Sequence, residues 1–367
     1  MTNRERVNAI LHYKPYDKMP VVHFGYWGET LVKWAQEGHI PMDLACAWGD
    51  CNEADDIISK KLGFDFNWSA KMHIGYGLRP YFDTLILEER ADGTYVERDS
   101  HGVSLLKKHG VNSIPSEIDH LLKDKESWNN EYRHRFKFSK DRIPDYTYLK
   151  NYNGDTPIGL SIGSFFGTLR DIIGVVNISY MYADDPDLYA EIINTNANLV
   201  YECTKGVLEQ GVKFDYVHIW EDICFKNGPL VIPAIFEELV GPHYKRVTQL
   251  VNSYGIDIVS LDCDGCIDAL LPIWLKNGVN TMFPIEVGTW DASIAPWREQ
   301  YGKELRGIGG MNKTVFARDY KAIDEEIERL KPLMDLGGYI PCPDHRIAPD
   351  AIWENVQYYC DRMQKLV

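Results

Sequence analysis

The sequence predicts an α/β fold and, within that class, a (β/α)8 barrel. Short apolar runs of strand-like composition alternate about eight times with helical patterns. Acidic or histidine residues follow directly after several of these runs, as expected where parallel strands end at a catalytic face. An open, doubly wound parallel sheet is the alternative, because nothing in the sequence shows that the sheet closes. No internal repeat or low-complexity linker divides the chain, so we interpret residues 1–367 as one domain.

The early elements are two strands, three helical stretches and an insertion. Thr2 and Glu5 form a capping-box pattern that opens a helix. The first strand is predicted at 20–27 and the second at 63–75, with helical patterns at 28–37 and 41–61 between them. Alternating runs over 84–108, joined by Asp92-Gly93, predict an inserted antiparallel hairpin. A charged segment over 113–151 is predicted to be helical.

From residue 157 the strand–helix alternation becomes regular. Strands are predicted at 157–163, 214–220, 256–262, 280–286, 305–310 and 337–345. The helical patterns that follow include those starting near 168, 232 and 317, and a closing helix over 349–363. All carboxyl ends of these strands are expected to meet at one face.

Composition and charge exclude several classes of protein. The chain has 367 residues, 45% of them hydrophobic, and a formal net charge of −15, with an isoelectric point near 5.2. An acidic chain is a poor partner for nucleic acids and acidic membranes. The sequence has no apolar run of about 18 residues and no signal-peptide pattern, and its eight scattered cysteines indicate reduced thiols. We therefore expect a soluble, cytoplasmic protein.

Polar residues at the predicted strand ends suggest one catalytic cavity. The strands would gather there His23, Glu221, Asp222, Asp262, Asp264, Glu286 and His345. Several carboxylates with an imidazole can bind a divalent metal that keeps an open position, and such a metal acts as a Lewis acid. The alternative is that these acids cap helix N-termini and bind no metal.

Two cysteine positions offer a different metal site. Cys263 and Cys266 form a C-x-x-C pattern, and Cys342 lies at another predicted strand end. Cys263 and Cys342 could supply thiolates to zinc. However, strand alternation turns Cys263 away from the face that Asp262 and Asp264 share, which disfavours this set.

The whole chain resembles the uroporphyrinogen decarboxylase-like superfamily. The resemblance is carried by RERVNAILHYKPYDKMPV (4–21), PIGLSIGSFFGTL (157–169) and PDAIWENV (349–356). It implies a (β/α)8 barrel, in agreement with the strand count. True decarboxylases of this family carry an arginine-rich loop after the first strand, whereas the matching loop here, HFGYWGET (23–30), has no arginine. The resemblance therefore points to the corrinoid-dependent methyltransferase branch.

That branch binds zinc through an H-x-C-G motif and a later cysteine. With Gly265 aligned to the glycine of that motif, the two metal positions fall on Asp262 and Asp264, and the later cysteine falls on His345. This chain thus departs from the thiolate set. Its oxygen and imidazole donors are harder ligands, which suit an ether or phenolate oxygen.

The resemblance implies a methyltransferase component of a corrinoid-dependent O-demethylase. Such a protein moves the methyl group of a small O-methyl, methoxyaromatic-type compound to the cobalt of a separate corrinoid protein. The implied metal, expected to be zinc, would be bound by Glu221, Asp262, Asp264, Glu286 and His345. The residues expected to act in catalysis are Glu221, Asp264 and His345. The expected aromatic wall of the substrate site is His23, Tyr26, Trp27, Trp68 and Phe165.

Two other functions stay open at this stage. One is a decarboxylase of a small acid within the same superfamily. The other is a barrel that binds a corrinoid or tetrapyrrole without turnover. The oligomeric state also stays open, with a homodimer among the options.

Overall fold

The computed structural model describes residues 1–109 and 115–366. Its strands, in chain order, are β1 (Val22–His23), β2 (Phe66–Asn67), β3 (Met72–His73), β4 (Leu85–Glu89), β5 (Thr94–Arg98), β6 (Val103–Lys108), β7 (Ser116–His120), β8 (Gly159–Ser161), β9 (Tyr216–Trp220), β10 (Cys224–Phe225), β11 (Gly228–Pro229), β12 (Val259–Asp262), β13 (Thr281–Phe283), β14 (Arg306–Met311) and β15 (Tyr339–Pro343).

The helices surround these strands. In chain order they are α1 (Asn3–Leu11), α2 (Gly28–Gln36), α3 (Met42–Ala47), α4 (Glu53–Leu62), α5 (Lys125–Ser127), α6 (Gly167–Ile173), α7 (Val175–Asp184), α8 (Pro186–Leu208), α9 (Pro233–Leu239), α10 (Gly241–Ser253), α11 (Leu271–Lys276), α12 (Val287–Trp290), α13 (Ile294–Tyr301), α14 (Tyr320–Asp335) and α15 (Trp353–Gln364). None of the helices over 1–109 and 115–366 is long and apolar enough to cross a membrane.

The predicted (β/α)8 barrel is confirmed. Seven parallel strands follow in the order β15-β14-β13-β12-β9-β8-β3, and β1 pairs in parallel with β2. The predicted second strand is split, because β2 pairs with β1 while β3 pairs with β8. A parallel bridge between Tyr26, after β1, and Ile347, after β15, joins the first and last strands of the barrel. There the Trp27 N–H donates to the Ile347 carbonyl at 3.1 Å. Closure removes the free sheet edges that an open sheet would expose.

The strands are apolar on both faces because helices cover the barrel and side chains fill it. All residues of β9 except Trp220 are buried, as are those of β15. Close backbone packing explains one glycine of β14: a Cβ on Gly309 would lie 1.4 Å from the Pro284 carbonyl oxygen. The core therefore fixes the strand ends that carry the site.

The insertion is larger than the predicted hairpin. β4 to β7 form a four-stranded antiparallel sheet in sequential order. The prediction that 113–151 is helical is wrong for 116–120, which is strand β7, and residues 113 and 114 lie outside the described residues. The rest of that segment holds only α5 and short 3₁₀ and π turns. Pairing with β6 supplies the backbone hydrogen bonds that a charged helix would have made locally.

Candidate active site at the carboxyl end of the barrel

Three aspartates meet where two neighbouring strands end. Asp222 follows β9, and Asp262 and Asp264 lie at the end of β12, which pairs with β9. One carboxylate oxygen of each lies within 4.8 Å of the others. The Asp264 N–H donates to Asp222 Oδ1 at 3.0 Å. Asp222 adopts a positive φ of 46°, a backbone region that turns the chain sharply after the strand.

Burial and neighbouring carboxylates disfavour the ionisation of Asp222 and Asp262. Burial and then the negative charges of Asp262 and Asp264 raise the pKa of Asp222 to about 8. Burial and then Asp264 raise the pKa of Asp262 well above its ordinary value. A shared proton or a cation relieves this repulsion. The cluster can therefore donate a proton near neutral pH or bind a divalent metal.

Two histidines complete the cluster. His345, just after β15, places Nε2 at 3.4 Å from Asp264 Oδ2, and its ring stacks on Trp27 with centroids 5.6 Å apart. His345 Nδ1 is buried and has no partner among the described residues. His218 on β9 places Nε2 at 3.6 Å from Asp262 Oδ2 and Nδ1 at 3.2 Å from Ser260 Oγ. Both imidazoles are thus within reach of an aspartate carboxylate.

His218 was not among the predicted site residues. Burial lowers its pKa to about 4, so the imidazole is neutral and can act as a donor or a ligand. The signal was present in the sequence, because β9 and β12 are adjacent and residues two apart on a strand share a face. The register places His218 opposite Ser260 and Trp220 opposite Asp262.

Glu286 lies beside the cluster and holds the turn after β12. Its Oε2 accepts a hydrogen bond from Gly265 N–H at 2.5 Å, and its Oε1 accepts one from Thr289 at 2.8 Å. Burial and the charge of Asp264 raise its pKa. Glu286 is thus close enough to Asp264 for that charge to affect its pKa, and each of its carboxylate oxygens accepts a hydrogen bond from the protein.

Glu221 has a different position from the one predicted. Its carboxylate is fully buried and accepts hydrogen bonds from the N–H groups of Phe165, Phe166 and Gly167 at 2.7–2.9 Å. Ser164 Oγ and Tyr244 Oη donate to it as well. These donors surround the first turn of α6. The structure therefore shows Glu221 as the cap of that helix, the alternative that the sequence left open.

The predicted aromatic wall is mostly core. His23, Tyr26, Trp68 and Phe165 are each 0–1% exposed. His23 is occupied at both ring nitrogens, by Ser59 Oγ at 2.7 Å and by the Gly25 N–H at 3.0 Å. Trp68 stacks on Tyr216 with centroids 4.5 Å apart. Trp27 alone of the five is half-buried and contacts a residue of the cluster, His345.

The two cysteines considered as zinc ligands are buried. Burial raises the pKa of Cys263, whose thiol interacts with Cys224, and the pKa of Cys342. In the part of the chain that the structure describes, the residues grouped closely enough to hold a metal are Asp222, Asp262 and Asp264, without a cysteine. The disfavoured thiolate set therefore gains no support.

A cavity of about 720 Å³ opens beside Asp222, between the barrel and the inserted sheet. Trp220 and Tyr76 line it from the barrel side, and Leu105 lines it from β6. This volume is in the range of small-molecule sites in proteins. Asp222, one member of the acid cluster, thus lines a space that can hold a substrate.

The comparison with family models now identifies the family. Residues 124–366 match the model described as uroporphyrinogen decarboxylase (URO-D). The chain belongs to the uroporphyrinogen decarboxylase family. That match contains β8 to β15 and every aspartate of the cluster, and it leaves β1 to β7 outside. No protein of curated function matches the sequence significantly.

A solved structure agrees on the fold. A methyltransferase from Methanosarcina mazei superposes with a TM-score of 0.60 at 16% identity, covering 99% of this chain and 98% of that one. A putative vitamin-B12 independent methionine synthase from Listeria monocytogenes covers 95% of this chain and 98% of its own, at 13% identity and a TM-score of 0.41. At these identities the first similarity shows a shared barrel, and the second carries no further argument.

Proposed function

We propose that the protein transfers a methyl group from a small O-methyl compound of the methoxyaromatic type to the cobalt of a separate corrinoid protein. Membership of the uroporphyrinogen decarboxylase family and the fold shared with a methyltransferase support this proposal. The observation that carries it is the cluster of Asp222, Asp262 and Asp264, with His345 and His218 within reach, next to a cavity. Cleavage of an ether requires that the leaving oxygen be stabilised by a proton or a metal, and this cluster can supply either.

The step is a nucleophilic displacement at the methyl carbon. Co(I) of the corrinoid donates an electron pair to that carbon, the carbon–oxygen bond breaks, and methyl-Co(III) and an alcohol or phenol form. The leaving oxygen takes one proton. Asp222 is the proposed donor, because burial, the largest cause of its raised pKa, persists when a metal neutralises its two neighbours, and because it lines the cavity. A general acid of this kind contributes about 10²–10⁴-fold to a rate.

The remaining donors fit a divalent metal, with zinc as the first candidate. Asp262 and Asp264 would hold it, because their carboxylate oxygens lie within 4.8 Å of each other and their repulsion favours a cation there. His345, whose Nε2 lies 3.4 Å from Asp264 Oδ2, is the proposed further ligand. When bound, a metal supplies Lewis acidity at the substrate oxygen. Glu221 is left out of the proposed set, since its oxygens bind helix α6. Glu286 keeps the turn that presents Asp264.

The partner and the location of the protein are part of the same proposal. We propose that a separate corrinoid protein presents the cobalt at the carboxyl end of the barrel. The absence of a transmembrane helix in the described part is compatible with the proposed cytoplasmic location.

The test is anaerobic methyl transfer with free cob(I)alamin as the acceptor. Vanillate and guaiacol serve as methyl donors, and the decay of cob(I)alamin and growth of methylcob(III)alamin are followed by absorbance. We expect transfer by the native chain and a loss of about 10²-fold or more in the Asp222→Asn variant. The control Asp335→Asn changes an exposed residue of α14 and should keep full activity.

Other results would replace the proposal. Release of carbon dioxide from a small acid without methyl transfer would make the protein a decarboxylase. Tight binding of cobalamin without turnover of any methyl donor, by the native chain and the Asp222→Asn variant alike, would support the binding barrel.

A further inference from the structure

One wall of the cavity beside Asp222 is a single stretch of irregular backbone, residues 74–82, which we call the wall segment. Residues 74–79 and 81 line the cavity. The segment follows β3, and the Ile74 N–H donates to the Ser161 carbonyl of β8 at 3.1 Å. None of the described helices and strands includes residues 74–82. The shape of the wall segment is therefore fixed by contacts from other parts of the chain rather than by a strand ladder.

Arg142 supplies most of these contacts. Its side chain is 1% exposed, and its guanidinium donates four hydrogen bonds, all to backbone carbonyls. Nη1 donates to the carbonyls of Gly75 at 2.9 Å and Gly77 at 2.6 Å. Nη2 donates to the Arg135 carbonyl at 2.5 Å, and Nε donates to that of Lys137 at 2.9 Å. One side chain thus joins the wall segment to the chain between α5 and β8.

Arg135 holds the other half of the wall segment. Its Nη1 donates to the Pro80 carbonyl at 2.6 Å, and its guanidinium lies 3.8 Å from the centre of the Phe82 ring. Its own carbonyl accepts a hydrogen bond from the Arg79 N–H at 3.0 Å. We call Arg135 and Arg142 together the arginine clasp.

The choice of arginine for this contact indicates a need for precise backbone geometry. A buried cation is costly unless its hydrogen bonds are satisfied, and apolar side chains would connect two segments at a lower cost. The planar guanidinium, however, fixes the direction of several carbonyls at once. The arginine clasp therefore holds the wall segment in one conformation.

The side chain between the two carbonyls that Arg142 binds on the wall segment is Tyr76. Its ring packs on Gly163, just after β8, where a Cβ would lie 2.6 Å from the ring. Tyr76 lines the same cavity as Trp220 and Asp222. The conformation of the wall segment thus determines where this ring stands in the cavity.

We infer that Arg135 and Arg142 are positioning residues, which hold the wall segment and Tyr76 in the conformation that admits a methyl donor to the cavity. Neither arginine touches the donor. The role in methyl transfer rests on the proposed function, whereas the role in ligand binding does not. Without the clasp, the wall segment populates other conformations, and the apparent affinity for a ligand falls with the fraction of molecules that can bind it.

The test compares Arg142→Lys with the native chain. Lysine keeps the positive charge but offers a single nitrogen, which cannot reach four carbonyls in a fixed fork. Hydrogen–deuterium exchange followed by mass spectrometry should show faster exchange in residues 74–82. Calorimetry should show that Kd for guaiacol and vanillate rises about tenfold, as expected if one molecule in ten has the binding conformation. In anaerobic transfer to cob(I)alamin, KM for either donor should rise by the same factor, while kcat at saturating donor stays within about twofold.

The matched control is Arg306→Lys, at the amino end of β14. Its Nε likewise donates to a backbone carbonyl, that of Leu11 at 2.6 Å, so its replacement removes the same kind of contact far from the wall segment. It should leave Kd, KM and exchange in residues 74–82 unchanged. Arg135→Lys serves as the second variant if Arg142→Lys does not fold, and should shift Kd and exchange in the same direction.

Each outcome decides the inference. Native exchange in residues 74–82, or a native Kd, in the folded clasp variants would overturn it. An equal rise of Kd in Arg306→Lys would also overturn it, because the effect would then be a general loss of stability. So would a native chain that binds neither compound. If the native chain binds guaiacol, Arg142→Lys weakens that binding and no methyl transfer occurs, the clasp stands and the proposed function fails.

Discussion

The position of Glu221 gives a prediction that separates a structural role from a catalytic one. Oε2 accepts hydrogen bonds from Ser164, Phe166 and Gly167, and Oε1 accepts them from Phe165 and Tyr244. In Glu221→Gln the amide nitrogen cannot accept. It would take the Oε1 position, where the Tyr244 hydroxyl can turn and accept from it, but the Phe165 N–H loses its acceptor.

The expected cost follows from these contacts. One buried N–H without a partner costs roughly 1–3 kcal/mol. Loss of the negative charge at the start of α6 removes roughly 0.3–1 kcal/mol, and up to about 2 kcal/mol when buried. Glu221→Gln should therefore lower the free energy of unfolding by about 2–4 kcal/mol. Tyr244→Phe removes a single donor and should cost about 1–2 kcal/mol.

Urea unfolding followed by circular dichroism measures the stability, and calorimetry measures zinc binding to the folded variant. The control Glu238→Gln, at an exposed position of α9, should change stability by less than about 0.5 kcal/mol. A Glu221→Gln variant of native stability that no longer binds zinc would refute the capping role and restore Glu221 as a ligand.

Three further predictions concern the turn, the metal and the protons of the cluster. Gly265→Ala should destabilise the protein more than Gly255→Ala. The two glycines have nearly the same φ, +85° and +83°, but a Cβ on Gly265 would lie 2.6 Å from the Cys224 carbonyl oxygen, whereas a Cβ on Gly255 would have nothing within 4 Å. Thermal unfolding of the two variants therefore isolates the steric cost. Zinc at a hundredfold excess over its Kd should stabilise the native chain by about 2.7 kcal/mol, and an equal gain in Asp264→Asn would count against the proposed metal set. In protein freed of metal by a chelator, Asp222 has a raised pKa of about 8, so the native state holds a proton that the unfolded chain loses near pH 4. This stabilisation is complete at acidic pH and is lost as pH rises towards 8. Asp222→Asn should therefore flatten that part of the plot of stability against pH, and an unchanged slope would argue against the raised pKa.

The parts of the fold that depend on short-range pattern could be predicted. Strand runs such as 214–220 and 256–262 match β9 and β12 within a few residues, because a buried parallel strand needs a continuous apolar run. The clustering of Asp262 with Asp264 follows from strand alternation in the same way. The helical prediction was wrong for 116–120, since pairing of β7 with β6 is a tertiary contact that a charged, polar segment does not reveal.

Side-chain roles at the strand ends were harder to predict. Glu221 and Asp222 are neighbours in sequence, yet the positive φ at Asp222 sends one carboxylate under α6 and the other into the cluster. His23 and Trp68 were interpreted as pocket residues because aromatics near strand ends are common in both cores and sites. Their burial depends on how neighbouring helices pack, which periodicity alone does not determine.

The division of the cavity between two parts of the chain suggests how its functions are divided. Asp222, Asp262, Asp264 and His345 lie within the range that matches the uroporphyrinogen decarboxylase model, while His101 and Leu105 lie before it. Under the proposed function, chemistry at the leaving oxygen depends on the first group, which lies at the ends of barrel strands. Under the proposed function, selection of the donor depends on how the inserted sheet covers the cavity. Substitutions in β6 that face the cavity, such as Leu105→Trp, should therefore change which methoxyaromatic compounds bind while leaving zinc binding at the cluster intact.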